Sequence, residues 1–128
     1  MMIASRIFAV ILVGLLASCT TIASSTQRDA SPSHIISSKL VGAPVIVSGY
    51  LRFSTHERQI WNSEAAFQEG DFQQKCLTLL GTNKFRSELT SYNGKRVRLS
   101  GVVRDTSTDN DVDLGACGNY ALILDSVR

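Results

Sequence analysis

This 128-residue chain predicts a mainly β domain, a small five-stranded Greek-key barrel with one helix between strands three and four. Three observations lead there. Residues 41–51 (VGAPVIVSGYL) and 93–103 (NGKRVRLSGVV) share the pattern G-x-x-V-x-[VL]-S-G. Both segments alternate apolar and polar residues with the period of two that marks a half-buried strand. Around them, strand-like and helix-like runs follow in the order three strands, one helix, two strands.

In the first strand Val45, Val47, Gly49, Leu51 and Phe53 fall on one side, with Ile46, Ser48, Tyr50 and Arg52 on the other. Residues 54–56 (STH) mark a turn, and Glu57 to Trp61 form the return strand of a hairpin. Residues 62–74 (NSEAAFQEGDFQQ) are polar with two aromatics, a helical excursion or a long loop. Lys75 to Leu80 form a third short strand, stopped by Gly81. Phe85, Leu89 and Tyr92 stand at i, i+4 and i+7, the spacing of a helix face, with Asn83 as its N-cap. In the fourth strand Val97, Leu99, Gly101 and Val103 alternate with Arg96, Arg98, Ser100, Val102 and Arg104. Tyr120 to Val127 close the chain as a fifth strand. A glycine inside each long strand marks a bulge or sharp coiling.

That element order is the order of the OB-fold, a five-stranded Greek-key barrel. The phrases VIVSGYLRF, KCLTLL, YNGKRVRLSGVV and ALILDSV resemble small bacterial exported proteins with OB-like domains. The resemblance covers residues 40–128 and implies a fold, which by itself implies no function.

The amino end assigns an address. Arg6 precedes an uncharged apolar run, Ile7 to Leu16, too short to span a bilayer and followed at once by small and polar residues. Leu16-Ala17-Ser18-Cys19 resembles the lipobox of bacterial lipoproteins. The resemblance implies a diacylglycerol on the Cys19 thiol, removal of residues 1–18, and acylation of the new amine. Two or more acyl chains hold a protein at a membrane where one does not. Thr20 follows Cys19 where an Asp favours inner-membrane retention in enterobacterial lipoproteins. The expected location is therefore the outer membrane, facing the periplasm. Residues 19–33, rich in Ser and Thr, read as a lipidated flexible tether with an r.m.s. reach of roughly 20 Å. Residues 34–128 are the folded domain.

Of three cysteines, Cys19 is taken by the lipid. Cys76 and Cys117 form an even pair in an oxidising compartment and predict a disulfide. A zinc site would need four ligands, and two isolated cysteines without a nearby His pair do not supply them. The formal charge of +2, lowered by one when Arg6 is removed, implies no bulk attraction to nucleic acid or anionic lipid.

Four constellations compete for a functional role. Arg52, Arg96, Arg98 and Arg104, with Tyr50 on the same parity, form a candidate ligand face, since OB-folds bind oligosaccharides and oligonucleotides across a sheet using aromatics and cations. Any half-solvated strand shows the same polar side. Asp109, Asp111 and Asp113 alternate like the opening of a calcium loop. Leu114 replaces its glycine and Tyr120 its bidentate glutamate, so they remain a weak calcium candidate. His34 and His56 have no partner at nucleophile–base spacing. Trp61, Phe67 and Phe72 either cover an open end of the barrel or form a partner-binding patch anchored by an exposed Trp61. The expected protein is a non-catalytic lipoprotein of the cell envelope that needs no cofactor. It is held to the membrane by N-terminal acyl chains and binds an envelope protein or saccharide. The compartment disfavours nucleic acid, although an oligosaccharide or nucleic-acid binder using the arginine and tyrosine face is the alternative.

Overall fold

The computed structural model of the protein describes residues 29–107 and 117–128. Cys19 and the acidic residues Asp109, Asp111 and Asp113 lie outside the described residues.

Five strands close on themselves into a barrel: β2 (Pro44–Phe53), β3 (Arg58–Trp61), β4 (Cys76–Leu80), β5 (Arg96–Asp105) and β6 (Tyr120–Val127). Their order around the barrel is β2-β3-β4-β6-β5, and β5 returns to β2. The β4–β6 contact is parallel and the other four are antiparallel. A two-residue strand, β1 (Asp29–Ala30), lies parallel to β2 opposite Ile46 and Val47. It occupies the part of the β2 edge that the short β3 does not reach, so less of that edge is left unpaired.

The period-two reading of both long strands matches the burial. Val45, Val47, Leu51 and Phe53 from β2 and Val97, Leu99 and Val103 from β5 enter the interior with Ile60, Leu77, Leu79 and Leu122. Full burial of one such side chain stabilises by about 1.5–3 kcal/mol. The two strand glycines stand where neighbouring strands cross. A Cβ on Gly49 would press on the Trp61 carbonyl and come within 2.9 Å of Ile60 Cγ1. On Gly101 it would strike the Ile123 carbonyl, beside the register shift between Ser100 and Gly101. The glycines admit backbone where no side chain fits, which lets two ten-residue strands coil enough to serve both sides of a small barrel.

The helices exceed expectation in number. Among the described residues there are three short ones: α1 (Pro32–Ser38), α2 (Glu64–Glu69) and α3 (Arg86–Tyr92), the last lying between β4 and β5 and preceded by a 3-10 turn at Asn83–Phe85. Asn83 is not the cap of α3. It opens the 3-10 turn, and Phe85 holds the cap position without a side-chain hydrogen bond. Leu89 is fully buried and Phe85 packs on the core, but Tyr92, the last residue of the helix, is 40 % exposed.

Regular structure reaches into residues 29–33, which the sequence reads as part of a tether. Asp29 and Ala30 are already paired with the barrel, and α1 starts at Pro32 with the Ser31 side chain accepting from the His34 N–H at 3.2 Å. Ile35 is fully buried. A Ser-Pro pair in a polar run reads as linker, yet Ser as N-cap and Pro at the first helical position are also helix-start chemistry. One buried isoleucine decides between them.

Candidate functional site

The outer face of β2 and β5 is where the sequence places a ligand-binding surface. Tyr50 on β2 stands directly across from Arg96 on β5 and from Trp61 on β3. Arg52 follows two residues later, and Arg98 lies across from Ser48. The structure thus brings Tyr50, Arg52, Arg96 and Arg98 onto one face, as their parity requires. Arg104 sits toward the other end of β5, exposed and across from Ala121.

This face is covered. Ser63 caps α2 by accepting from the Ala66 N–H at 3.0 Å, and Gly70 ends it in a left-handed conformation with φ 75°. The six-residue helix lays Ala66 and Phe67 onto Tyr50, Trp61, Cys76 and Cys117, forming a second apolar cluster outside the barrel. Phe67 meets the Trp61 ring edge-on, with centroids 5.4 Å apart, and Phe72 meets it at 4.9 Å. These aromatics therefore do not cover an open end of the barrel. Trp61 is not an exposed anchor either: it is fully buried, and its indole N–H donates to the Gln59 side-chain oxygen at 3.0 Å. A buried indole needs such a partner, and Gln59 is buried beside it.

Cys76 and Cys117 meet beneath this cluster with their Cα atoms 5.6 Å apart and are joined as a disulfide. The connection ties the start of β4 to the segment entering β6. Both residues are buried, Cys76 completely.

The arginines are held by groups of the protein itself. Arg52 donates through Nε and Nη2 to the two carboxylate oxygens of Glu57 at 3.0 and 3.2 Å, and its guanidinium lies 4.6 Å above the Phe67 ring. Its hydrogen bond to Arg52 holds the Glu57 carboxyl below the usual carboxylate range, and the carboxylate in turn raises Arg52 above an ordinary guanidinium. Arg98 pairs with Asp29 at 2.7 Å and so secures β1, while Arg96 donates to the Asn62 carbonyl at 3.1 Å. Tyr50 is only 7 % exposed. Chemically this is a clamp that holds α2 and β1 against the barrel.

Glu57, Gln59, Asn62 and Asp29 complete the clamp and were not identified from the sequence. Glu57 was within reach of sequence reasoning. A hairpin turn at residues 54–57, closed by the Ser54 N–H donating to the Glu57 carbonyl at 2.8 Å, brings its carboxylate back beside Arg52. Gln59 stands two residues from Trp61 on the same strand, whereas Asp29 and Asn62 come from segments distant from Arg98 and Arg96 and leave no local signal.

Among the described residues no group of three or more His, Cys, Asp or Glu is placed to hold a metal ion. Among the same residues no helix is long and apolar enough to cross a membrane. Compared with models of known protein families and with curated proteins, the chain matches none.

Proposed function

We propose that this protein is a bacterial lipoprotein, anchored through acyl chains on Cys19 to the outer membrane and facing the periplasm. Its OB-like domain would serve a non-catalytic binding or structural role in the envelope. The meeting of Cys76 with Cys117 carries the reading. A buried disulfide closing a long loop in a small domain belongs to an oxidising compartment, and the apolar run ending at Cys19 is the segment that would deliver the chain there. The OB-like assignment rests on the strand order and on α3 between β4 and β5.

The experiment is to block lipoprotein signal peptidase with globomycin in cells expressing the full chain. Accumulation of a longer precursor is expected, together with loss of the mature form from outer-membrane fractions. Unchanged processing would refute the anchor.

The alternative, an oligosaccharide or nucleic-acid binder using Tyr50 and the arginines, requires α2 to leave the face it covers. It predicts salt-sensitive retention on an anionic polymer that is lost in R96S/R98S. Absence of such retention removes it.

A further inference from the structure

We propose that a groove at the α3 end of the barrel binds a phosphoryl dianion, through Arg58 and Arg86. The groove, about 420 Å³, lies between the β2–β3 hairpin and α3. It is remote from the aromatic cluster and shares no residue with the clamp around Tyr50.

The sequence builds the site in two halves. Arg58 opens β3 directly across from Phe53, the last residue of β2, which forms a buried apolar floor. From the other side, Arg86, Thr90 and Asn93 recur at i, i+4 and i+7, which places them on one face of α3 and its cap. The halves are joined because the Phe53 N–H donates to Asn93 Oδ1 at 2.8 Å. That bond also orients the Asn93 amide and leaves its NH2 group to donate elsewhere.

What lines the groove is almost entirely donors. The guanidinium groups of Arg58 and Arg86 make no ion pair or hydrogen bond with any described residue, in contrast to Arg52, Arg96 and Arg98. The Thr55 hydroxyl is likewise uncommitted among the described residues. Ser54 Oγ accepts from the His56 and Glu57 N–H groups at 3.4 and 3.2 Å and keeps its own proton to donate. Among the described residues no carboxylate lines the groove. The nearest acid in sequence, Glu57, has both oxygens engaged by Arg52. Glu88 lies off the helix face that carries Arg86 and Thr90.

Two like charges facing one concavity without a counter-charge repel each other, and an anion between them removes that cost. Guanidinium is planar and presents paired N–H donors, which suits the oxygens of a phosphate. Two guanidiniums, two hydroxyls and an amide exceed the needs of one carboxylate and match a tetrahedral group with three or four acceptor oxygens. The ligand class is a phosphate monoester, free or carried on a lipid headgroup.

The test uses the full mature protein in maltoside micelles, titrated with inorganic phosphate at constant ionic strength while the arginine Nε–H NMR signals are followed. The signals of Arg58 and Arg86 are expected to move together along one saturating curve, whereas chloride leaves them in place. R58Q and R86Q should each weaken binding roughly tenfold or more, the loss of one charge-assisted hydrogen bond or two, while R128Q, at an exposed arginine after β6, leaves it unchanged. Both residues are exposed, so the variants should melt with the parent protein. Vesicles of phosphatidic acid against phosphatidylcholine distinguish the sources. Competition between phosphatidic acid and inorganic phosphate assigns a headgroup, and its absence beside saturable phosphate binding assigns a free monoester. Shifts that do not saturate, or that R128Q weakens as much as R58Q, would overturn the site.

Discussion

Removing the Cys76–Cys117 connection with the double variant C76A/C117A tests the energetic account of this fold. The two residues are 41 apart in sequence, so the disulfide closes a loop that holds α3, β5 and the approach to β6. On the chain-entropy estimate, freeing a loop of that length stabilises the unfolded ensemble by roughly 4 kcal/mol. Packing adds to this, because both residues are buried under Phe67 and Trp61, and alanine leaves the space of two sulfurs empty. For a domain of this size, 4 kcal/mol corresponds to a fall of roughly 15–30 °C in Tm. Urea unfolding followed by Trp61 fluorescence measures the free energy directly. The slope of that energy against urea should also steepen, since an uncrosslinked chain exposes more surface when it unfolds. A loss under about 1 kcal/mol would refute the reasoning. It would mean that the unfolded chain is already restricted over this loop without the covalent link.

Three further perturbations read other parts of the structure. Gly101→Val places a side chain against the Ile123 carbonyl, and a loss of about 1–3 kcal/mol or outright failure to fold is expected in circular dichroism melts; a neutral change would show that β5 and β6 can separate freely there. Phe67→Ala uncovers Tyr50, so nitration by tetranitromethane should modify Tyr50 in the variant and spare it in the parent; equal labelling of both would refute the cover. Glu57→Gln removes the carboxylate whose folded-state pKa is lowered by Arg52. A lowered pKa stabilises the fold above the unfolded-state value and is lost as pH falls through the folded one. The gap between parent and variant should therefore be steady near neutrality and close below about pH 4. With both side chains about a quarter to a third exposed, that gap should stay under about 1 kcal/mol in pH-dependent urea titrations. A gap that widens in acid would contradict the pairing.

The sequence by itself determined the elements whose signal is local. Alternation specified which residues of β2 and β5 face the core, because a strand has only two faces and one of them must leave water. The paired motifs located Gly49 and Gly101, and the cysteine count left one partner for Cys76. The outer face was beyond such reasoning. Period two distinguishes inside from outside, but it does not say whether the outside meets water or another segment. Tyr50 and Arg52 read as an exposed ligand face until α2, supplied by a stretch that read as a helical excursion or a long loop, is seen to lay Phe67 on them. Asp29 and Asn62 became partners of Arg98 and Arg96 only when the chain was closed in three dimensions. Arg58 and Arg86 carried no signal as a pair, since 28 positions separate them and only the end of a closed barrel makes them neighbours. Local periodicity is written into the chain one residue at a time, whereas coverage and charge pairing depend on long-range contacts, and those exist only in the folded molecule.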